Sequence, residues 1–316
     1  MKVSVLIATY NYGAFLAAAI ESVLSQDYPG PIECVVVDDG STDDTPAVVG
    51  RFGQRVRSIR QDNAGQAAAL NRAFAESTGE VICLLDADDL WRPSKVRCIV
   101  EAFAARPEVG LVHHGLEKFF ERGAGTADVR VSPREPADGN VSRVMLRRVL
   151  PWMFSPTSGL SLRRQLCEVI FPLTTSYRIS ADQLIAPVAA LLAPVRYLPE
   201  PLGIYRIHGS NLWAVNQSQV AAADAEYEAA RYVSLMEEKI THANEVLRRA
   251  GQPVRLSPFL SFRYVERYSR VHSVSLLSCF PTILRALSGT TGLGRMQTVP
   301  WGFGIAGRIL KHYLRF

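Results

Sequence analysis

The N-terminal part of the chain alternates between short apolar runs and stretches whose apolar residues recur at helical spacing. The apolar runs predict buried β-strands, and the stretches between them predict amphipathic helices. A strand followed by a helix in units of about 25 residues is typical of a parallel α/β sheet. The predicted strands are residues 3–8, 33–37, 56–60, 81–85 and 110–114, and the predicted helices cover residues 15–24, a segment from about 46, 66–77 and 93–106.

A polar cluster follows each of the first four predicted strands. In parallel α/β sheets, ligands bind beyond the carboxyl ends of the strands. Four separate loops of this kind therefore predict one binding site at that edge of the sheet. The clusters are residues 9–12, 38–41, 61–63 and 86–89.

The most informative cluster is acidic and follows the apolar run 81–85. It contains Asp86, Asp88 and Asp89. In extended chain, Asp86 and Asp88 would lie on one face, where their mutual repulsion would favour a hard divalent cation. Mg²⁺-type ions take one or two protein carboxylates and leave their other positions to water and substrate phosphate. A turn or helix cap is the alternative, above all for Asp89.

Two common phosphate-binding motifs are absent. No GxGxxG follows the first strand, and the sequence contains no P-loop lysine motif. The edge of the sheet is therefore neither a dinucleotide-binding crevice nor a P-loop ATPase site. A divalent ion and side chains would have to hold any phosphate groups.

The second half of the chain shows a weaker pattern. Residues 121–140 predict a long surface loop, residues 141–150 a helix, and residues 156–159 a loop. Asp182 is expected to open a helix, residues 195–198 a late strand, residues 205–211 a polar loop, and residues 217–250 one long charged helix. The apolar run 184–195 is shorter than the ~18 residues of a membrane span and predicts core.

Charge is distributed unevenly along the 316 residues. The net charge is +5, but the segment from Gly251 onward has nine Lys and Arg against one acid, so it carries +8 and the rest carries −3. The five cysteines are scattered without a CxxC motif, which predicts free thiols in a reducing compartment. The first apolar run is interrupted at Thr9 and predicts a strand rather than a signal peptide.

In motif and order, the chain resembles the inverting family 2 glycosyltransferases of the GT-A fold. The matching motifs lie at residues 8–11, 37–43, 63–66, 71, 79–80 and 85–89, with sparse similarity continuing to about Asn211. The resemblance implies an α/β fold: a Rossmann-like mixed sheet flanked by helices. Residues 1–215 would form the GT-A domain, with a nucleotide-sugar half at 1–115 and an acceptor half at 116–215. Residues 216–316 would form a helical, basic C-terminal extension.

The resemblance also implies roles for individual residues. Asp88 would be the main ligand of Mg²⁺ or Mn²⁺, and His208 would contact the metal or the diphosphate. Asp182 lies where relatives place the catalytic base, and residues 157–160 resemble the loop on the acceptor side. Leu70 departs from the family, in which many relatives carry Arg, and leaves open how the diphosphate side is completed. The residues expected to hold the nucleotide sugar are Thr9, Tyr10, Asn11, Asp39, Asp62, Asn63, Gln66, Asp86 and Ala87.

The activity implied is metal-dependent, inverting transfer of a sugar from a UDP- or dTDP-sugar to a glycan or lipid-linked acceptor, in cell-surface polysaccharide or glycolipid assembly. A non-catalytic nucleotide-sugar-binding protein and a sugar nucleotidyltransferase are the alternatives. A phosphatase is disfavoured, because its acidic motif normally follows the first strand rather than the fourth. No nucleic-acid partner is expected.

The C-terminal residues suggest a membrane contact. In residues 304–316, apolar side chains alternate with Arg308, Lys311 and Arg315 in the pattern of an interfacial helix on an anionic surface. A helix packed on the body, or a dimer contact, is the alternative. We expect a cytoplasmic protein that can bind peripherally to the inner face of the cell membrane.

Overall fold

The computed structural model describes residues 1–120, 130–209, 211, 225–258, 261–273, 277–279 and 281–282. The chain divides into two compact units, one of residues 1–142 and 152–209 and the other of residues 143–151 and 210–316. The predicted interfacial helix at 304–316 lies outside the described residues.

The first unit is built on one sheet. Its strands are β1 (Val3–Thr9), β2 (Ile32–Asp38), β3 (Arg57–Arg60), β4 (Val81–Asp86), β5 (Leu90–Trp91), β6 (Leu111–Phe120), β7 (Arg130–Val131), β8 (Leu160–Arg163) and β9 (Val195–Ile207). Its helices are α1 (Gly13–Leu24), α2 (Thr45–Gly50), α3 (Gln66–Ala75), α4 (Lys95–Ala105), α6 (Arg164–Ile170) and α7 (Asp182–Leu192), and α5 (Ser142–Arg147) begins at its boundary with the second unit.

The strand order is β3-β2-β1-β4-β8-β6-β9-β5, with β7 paired to β6. Strands β1 to β4 are parallel to their neighbours in this set, whereas β8 runs antiparallel to both β4 and β6. The sheet is therefore mixed and flanked by helices, which confirms the predicted fold class. The predicted strands and helices up to residue 114 agree with the structure to within two or three residues at most of their ends.

Register brings the first strand ends into line. Thr9 pairs with Asp38 across β1 and β2, and Ala8 pairs with Asp86 across β1 and β4. The strands are held there by burial, since the side chains of Val5, Ile7 and Leu85 are at most 1% exposed. The loops that follow these strands consequently begin side by side at one edge of the sheet, as the alternating pattern predicts.

Two loop predictions were wrong in part. In the described part of residues 121–140, Arg130 and Val131 form β7, Ala137 is fully buried, and Gly139 exchanges backbone hydrogen bonds with Val195, whereas residues 132–138 form neither helix nor strand, as predicted. Residues 121–129 lie outside the described residues.

The loop predicted at 205–211 is β-strand as far as Ile207, because β9 runs on from the strand expected at 195–198. A register shift in the pairing of β6 with β9, on either side of Gly115, accommodates the two prolines of β9 at positions 199 and 201. His113 and His114 accordingly lie within β6 rather than at a strand end, and both are fully buried.

The second unit is helical where it is described. Helix α8 (Ala225–Arg249) lies within the long charged helix predicted at 217–250, and α9 (Phe262–Val271) packs on it through Val233, Tyr264 and Val265. Ser261 caps α9 by accepting a hydrogen bond from the backbone N–H of Tyr264. Among the described helices, none combines the length and apolar character needed to cross a membrane.

Candidate active site at the carboxyl edge of the sheet

The acidic cluster forms a tight turn between β4 and β5. Asp86 is the last residue of β4, and the N–H of Asp89 donates to its carbonyl at 3.1 Å. Asp86 and Asp88 were expected to share one face of extended chain. That expectation was wrong, because the chain turns at Ala87 and Asp88. The turn, rather than strand periodicity, places the three carboxylates together.

Asp89 is the structural centre of this turn. Its side chain is fully buried, and its carboxylate accepts hydrogen bonds from the Ser158 hydroxyl at 2.6 Å and from the Arg206 backbone N–H at 3.0 Å. The Ser158 hydroxyl also accepts from the N–H of Asp86 at 3.0 Å. The predicted acceptor-side loop therefore reaches into the acidic turn and fixes two of its residues.

The acids raise one another's affinity for a proton. Loss of solvent, followed by the charges of Asp89, Asp88 and Asp182, raises the pKa of Asp86 well above its usual range. Burial and the charge of Asp88 likewise raise the pKa of Asp89, against opposing hydrogen bonds from Ser158 and Arg206. The site thus holds an excess of negative charge that a cation would relieve.

Arg206 of β9 and His208, just beyond the end of that strand, hold Asp88 from the other side. The Arg206 guanidinium donates to the Asp88 carbonyl through Nε and to the Phe15 carbonyl through Nη2, the latter at 3.0 Å. His208 Nε2 lies 3.2 Å from Asp88 Oδ2, and its ring stacks on Phe15 with centroids 4.0 Å apart. The predicted metal ligands Asp88 and His208 are therefore neighbours.

These residues fit a divalent cation that is only partly coordinated by protein. In the part of the chain that the structure describes, no three His, Cys, Asp or Glu side chains converge on one point. Asp88 and His208 would supply one carboxylate and one imidazole. That leaves most positions to water and phosphate oxygens, the usual arrangement for Mg²⁺ at a phosphate-bearing substrate.

Asp182 lies close to the same acids. It is 8% exposed, it is the first residue of α7, and its charge contributes to the raised pKa of Asp86. The prediction that Asp182 opens a helix is confirmed. Its Oδ1 accepts from the N–H of Gln183 at 3.0 Å, so that the carboxylate is directed by the helix N-terminus.

Gln66 connects the two acidic groups. Its Nε2 donates to Asp86 Oδ1 at 3.1 Å, and its Oε1 accepts from the N–H of Ala181 at 2.9 Å. One amide thus spans the distance between the acidic turn and the residue before Asp182. The family resemblance places Gln66 among the residues that would hold the nucleotide sugar. Its two hydrogen bonds also connect Asp86 with the start of α7.

The predicted nucleotide loop after β1 is shaped by Asn11, whose φ of 59° lies in the left-handed region. Its side-chain oxygen accepts from the N–H of Thr42 at 2.7 Å, which joins this loop to the one after β2. Tyr10 is 41% exposed and available for stacking, whereas Thr9 is 3% exposed. Thr9 Oγ1 makes no hydrogen bond with any residue that the structure describes.

Asp39 organises the loop before α3. Its carboxylate accepts from Gln61 Nε2 at 2.7 Å and from the backbone N–H groups of Ala64 and Gly65 at 2.9 and 2.7 Å. Asp62 and Asn63 in the same loop are exposed. The loop is therefore held by three hydrogen bonds to Asp39 and carries two exposed polar side chains.

A strap of residues 173–181 covers this loop. Asn71 fixes one end by bonding the N–H and carbonyl of Leu173 at 2.7 and 2.9 Å, and Arg178 joins the strap to the loop by donating to Asn63. Gly65, with φ of 93°, lets the strap approach, because a Cβ there would lie 2.8 Å from the Arg178 Cα.

Four site residues escaped sequence analysis as functional candidates. They are Lys95, Tyr205, Arg206 and Arg178. Burial, followed by the charges of the neighbouring acids, raises the pKa of Tyr205 and keeps its phenol protonated beside them. Tyr205 and Arg206 fall in the segment predicted as a polar loop at 205–211, close to His208, whereas Lys95 and Arg178 belong to no acidic or loop motif.

Residues 4–168 match the family described as "Glycosyl transferase family 2". An uncharacterized glycosyltransferase of Nostoc sp. is 38% identical over 282 residues, which is 85% of this chain and 84% of that protein. The glycosyltransferase GlyG of Streptococcus pneumoniae is 35% identical over 103 residues, which is 31% of this chain and 34% of that protein.

Similarity in fold extends over more of the chain. The crystal structure of S. aureus TarS in complex with UDP superposes with a TM-score of 0.56 at 19% identity, covering 89% of this chain and 74% of that one. At this identity the likeness concerns the fold alone.

Proposed function

Because the chain belongs to glycosyl transferase family 2 and is a glycosyltransferase, we propose that it transfers a sugar from a nucleoside diphosphate to an acceptor hydroxyl with inversion at the anomeric carbon. The observation that carries the proposal is the acidic edge, where Asp88 and His208 are neighbours and Asp182 lies close to Asp86. Family membership disfavours the nucleotidyltransferase and the non-catalytic binding protein.

In the proposed reaction, Asp182 accepts the proton of the acceptor hydroxyl as the oxygen forms its bond to the anomeric carbon. The bond from that carbon to the diphosphate oxygen breaks at the same time, and the nucleoside diphosphate leaves with the electron pair. A single displacement inverts the anomeric centre. Asp182 suits the role of base because it is buried, held by its own helix N-terminus, and tied through Ala181 and Gln66 to the donor side.

Asp88 and His208 would hold Mg²⁺ or Mn²⁺, which when bound would neutralise charge on the diphosphate. Gln66 and Asp86 orient this end of the site, and Tyr205 provides a protonated phenol that can donate a hydrogen bond to substrate. Tyr10, Asp62 and Asn63 are exposed and would contact the base or ribose of a UDP- or dTDP-sugar.

The defining experiment is a screen of nucleotide sugars by thermal shift with Mn²⁺, followed by transfer from the stabilising donor. The anomeric configuration of the product, measured by proton NMR, tests inversion. Retention of configuration would refute the single-displacement mechanism. If no UDP- or dTDP-sugar stabilises the protein, the proposed donor class is wrong.

Arg178 is the residue we expect to complete the diphosphate side. Leu70 occupies the position at which many relatives carry Arg. Its apolar side chain is 2% exposed on the buried side of α3 and cannot bind the diphosphate. The Arg178 guanidinium is exposed, and it donates to Asn63 at the loop that also carries Gln66. A planar cation in that place suits a phosphate oxygen.

We therefore predict that Arg178→Ala weakens UDP binding about tenfold, in line with the loss of one charge-assisted hydrogen bond, and leaves uridine binding unchanged. Isothermal calorimetry with both ligands and Mn²⁺ measures the difference. The matched control is Arg97→Ala, which removes an exposed arginine of α4 that pairs with Asp27. An equal loss for UDP and uridine would mean that Arg178 acts only by holding the strap.

The acceptor is proposed to be a glycan or a lipid-linked sugar at the inner face of the membrane, as part of surface polysaccharide or glycolipid assembly. The basic residues 251–316 support this proposal by their composition. We predict that the full chain floats with vesicles containing anionic phosphatidylglycerol, and that a version ending at Gly289 does not. Neutral phosphatidylcholine vesicles are the control, and equal flotation of both versions would remove the proposed role of the tail.

A further inference from the structure

Lys95, the first residue of α4, carries a fully buried amine beside the site. Burial lowers the pKa of its amine to about 7. Among the described residues it forms no ion pair with a carboxylate, and an unpaired buried ammonium is costly by several kcal/mol. A methionine would fill a similar volume without that cost, so packing alone does not account for a lysine.

Two contacts offset the cost of burying the Lys95 amine, and both involve residues close to the acidic turn. Its Nζ lies 3.3 Å from the centroid of the Trp91 ring, a close cation–π contact, and donates to the Ser158 carbonyl at 3.1 Å. The Trp91 Nε1–H donates to the same carbonyl at 3.0 Å. One backbone oxygen therefore accepts hydrogen bonds from two side chains that differ in chemistry.

The hydroxyl of Ser158 carries this restraint onward. It donates to Asp89 and accepts from the N–H of Asp86. Asp88 lies between these two residues in the turn. Ser158 thus holds the backbone on either side of Asp88, while Arg206 and His208 contact Asp88 itself, and together they set the direction of its carboxylate.

We propose that Trp91 and Lys95 are positioning residues for the cation site, which they support by clamping Ser158 and, through Ser158, the turn from Asp86 to Asp89. This inference rests on the proposed function, because it takes Asp88 as a metal ligand. Neither residue touches substrate. Outer partners of this kind typically contribute 10- to 100-fold to metal affinity by orienting the ligands.

The test uses the full-length protein and Mn²⁺ alone, whose free form is counted by its electron paramagnetic resonance signal. We expect Trp91→Phe, which removes the indole N–H with its five-membered ring but keeps an aromatic ring, to weaken Mn²⁺ binding about tenfold, and Lys95→Met to weaken it by about 10- to 100-fold. The double variant should lose less than the product of the two single losses, because both donors act on one carbonyl.

Two matched controls carry the same chemical changes elsewhere. Trp152→Phe alters an indole that is 42% exposed, and Lys2→Met alters a surface lysine paired with Glu33. Both should bind Mn²⁺ as the unaltered protein does. Unfolding in urea without metal measures stability separately. A variant that is merely destabilised would unfold at lower urea concentration and still bind Mn²⁺ with normal affinity while folded.

The outcomes separate the two proposals. If the unaltered protein binds no Mn²⁺, the metal site of the proposed function fails. If it binds Mn²⁺ and folded Trp91→Phe and Lys95→Met bind it equally well, the clamp alone is overturned. Should Lys95→Met not fold, Trp91→Phe decides, since it removes the N–H that donates to Ser158 while an aromatic ring remains, and the urea midpoint reports any loss of packing.

Discussion

Asp182→Asn should abolish most sugar transfer while leaving donor binding intact. The substitution keeps the shape of the side chain and its hydrogen bond with Gln183 N–H, but an amide cannot accept the acceptor hydroxyl's proton. Positioned general bases typically contribute 10²- to 10⁴-fold, and we expect kcat to fall by about that factor. The loss of kcat is measured in a transfer assay with the donor sugar that stabilises the protein, by monitoring release of nucleoside diphosphate.

The control for this prediction is binding. Calorimetry with UDP and Mn²⁺ should give Asp182→Asn and the unaltered protein the same affinity, because no donor contact is assigned to Asp182. Asp27→Asn, on the surface beside Arg97, should change neither quantity. Full transfer by Asp182→Asn would remove Asp182 as the base and direct the search to another acid of the edge.

Asp88→Ala should remove the metal-dependent part of nucleotide binding. The backbone carbonyl of Asp88 remains to receive Arg206, and the neighbouring bonds of Asp86 and Asp89 to Ser158 remain, so the turn should keep its form. Since even outer partners contribute 10- to 100-fold to metal affinity, loss of the main carboxylate should cost about 100-fold or more. Calorimetry with UDP, first in Mn²⁺ and then in EDTA, separates the metal-dependent part of UDP binding from the metal-independent part.

A specific pattern is expected from Asp88→Ala. UDP affinity in EDTA should match that of the unaltered protein, and addition of Mn²⁺ should then improve it little or not at all. Unchanged affinity with Mn²⁺ would rule out Asp88 as the principal ligand. A loss that is equal with and without metal would indicate that the turn itself had collapsed, which the urea unfolding midpoint would register.

Local sequence predicted the frame of the site well. Strands whose side chains are buried on both faces must be apolar, and polar groups can appear only where such strands end. The alternating pattern therefore predicted that Thr9, Asp38 and Asp86 lie at strand ends, and the structure aligns those ends. The similarity of residues 8–11, 37–43 and 85–89 to family 2 enzymes predicted the family, which the match over residues 4–168 confirms.

Predictions failed where a segment's structure depends on a distant partner. Residues 205–207 are polar enough to predict a loop, but β6 offers them a strand to pair with, and backbone hydrogen bonds outweigh weak local preference. The same reasoning applies to Arg130 and Val131, which become a strand because β6 extends to Phe120. Local propensity contains no information about such a neighbour.

By itself the sequence determined the fold class, the edge of the sheet at which the site forms, and the acids that belong to it. Only tertiary structure decided how those acids are held. Ser158 reaches Asp86 and Asp89 from about 70 residues away along the chain, Arg206 reaches the turn from 117 residues away, and Gln66 meets Ala181 across 115. Such contacts arise from packing of the complete sheet, because each satisfies a buried polar group whose partner no local pattern identifies.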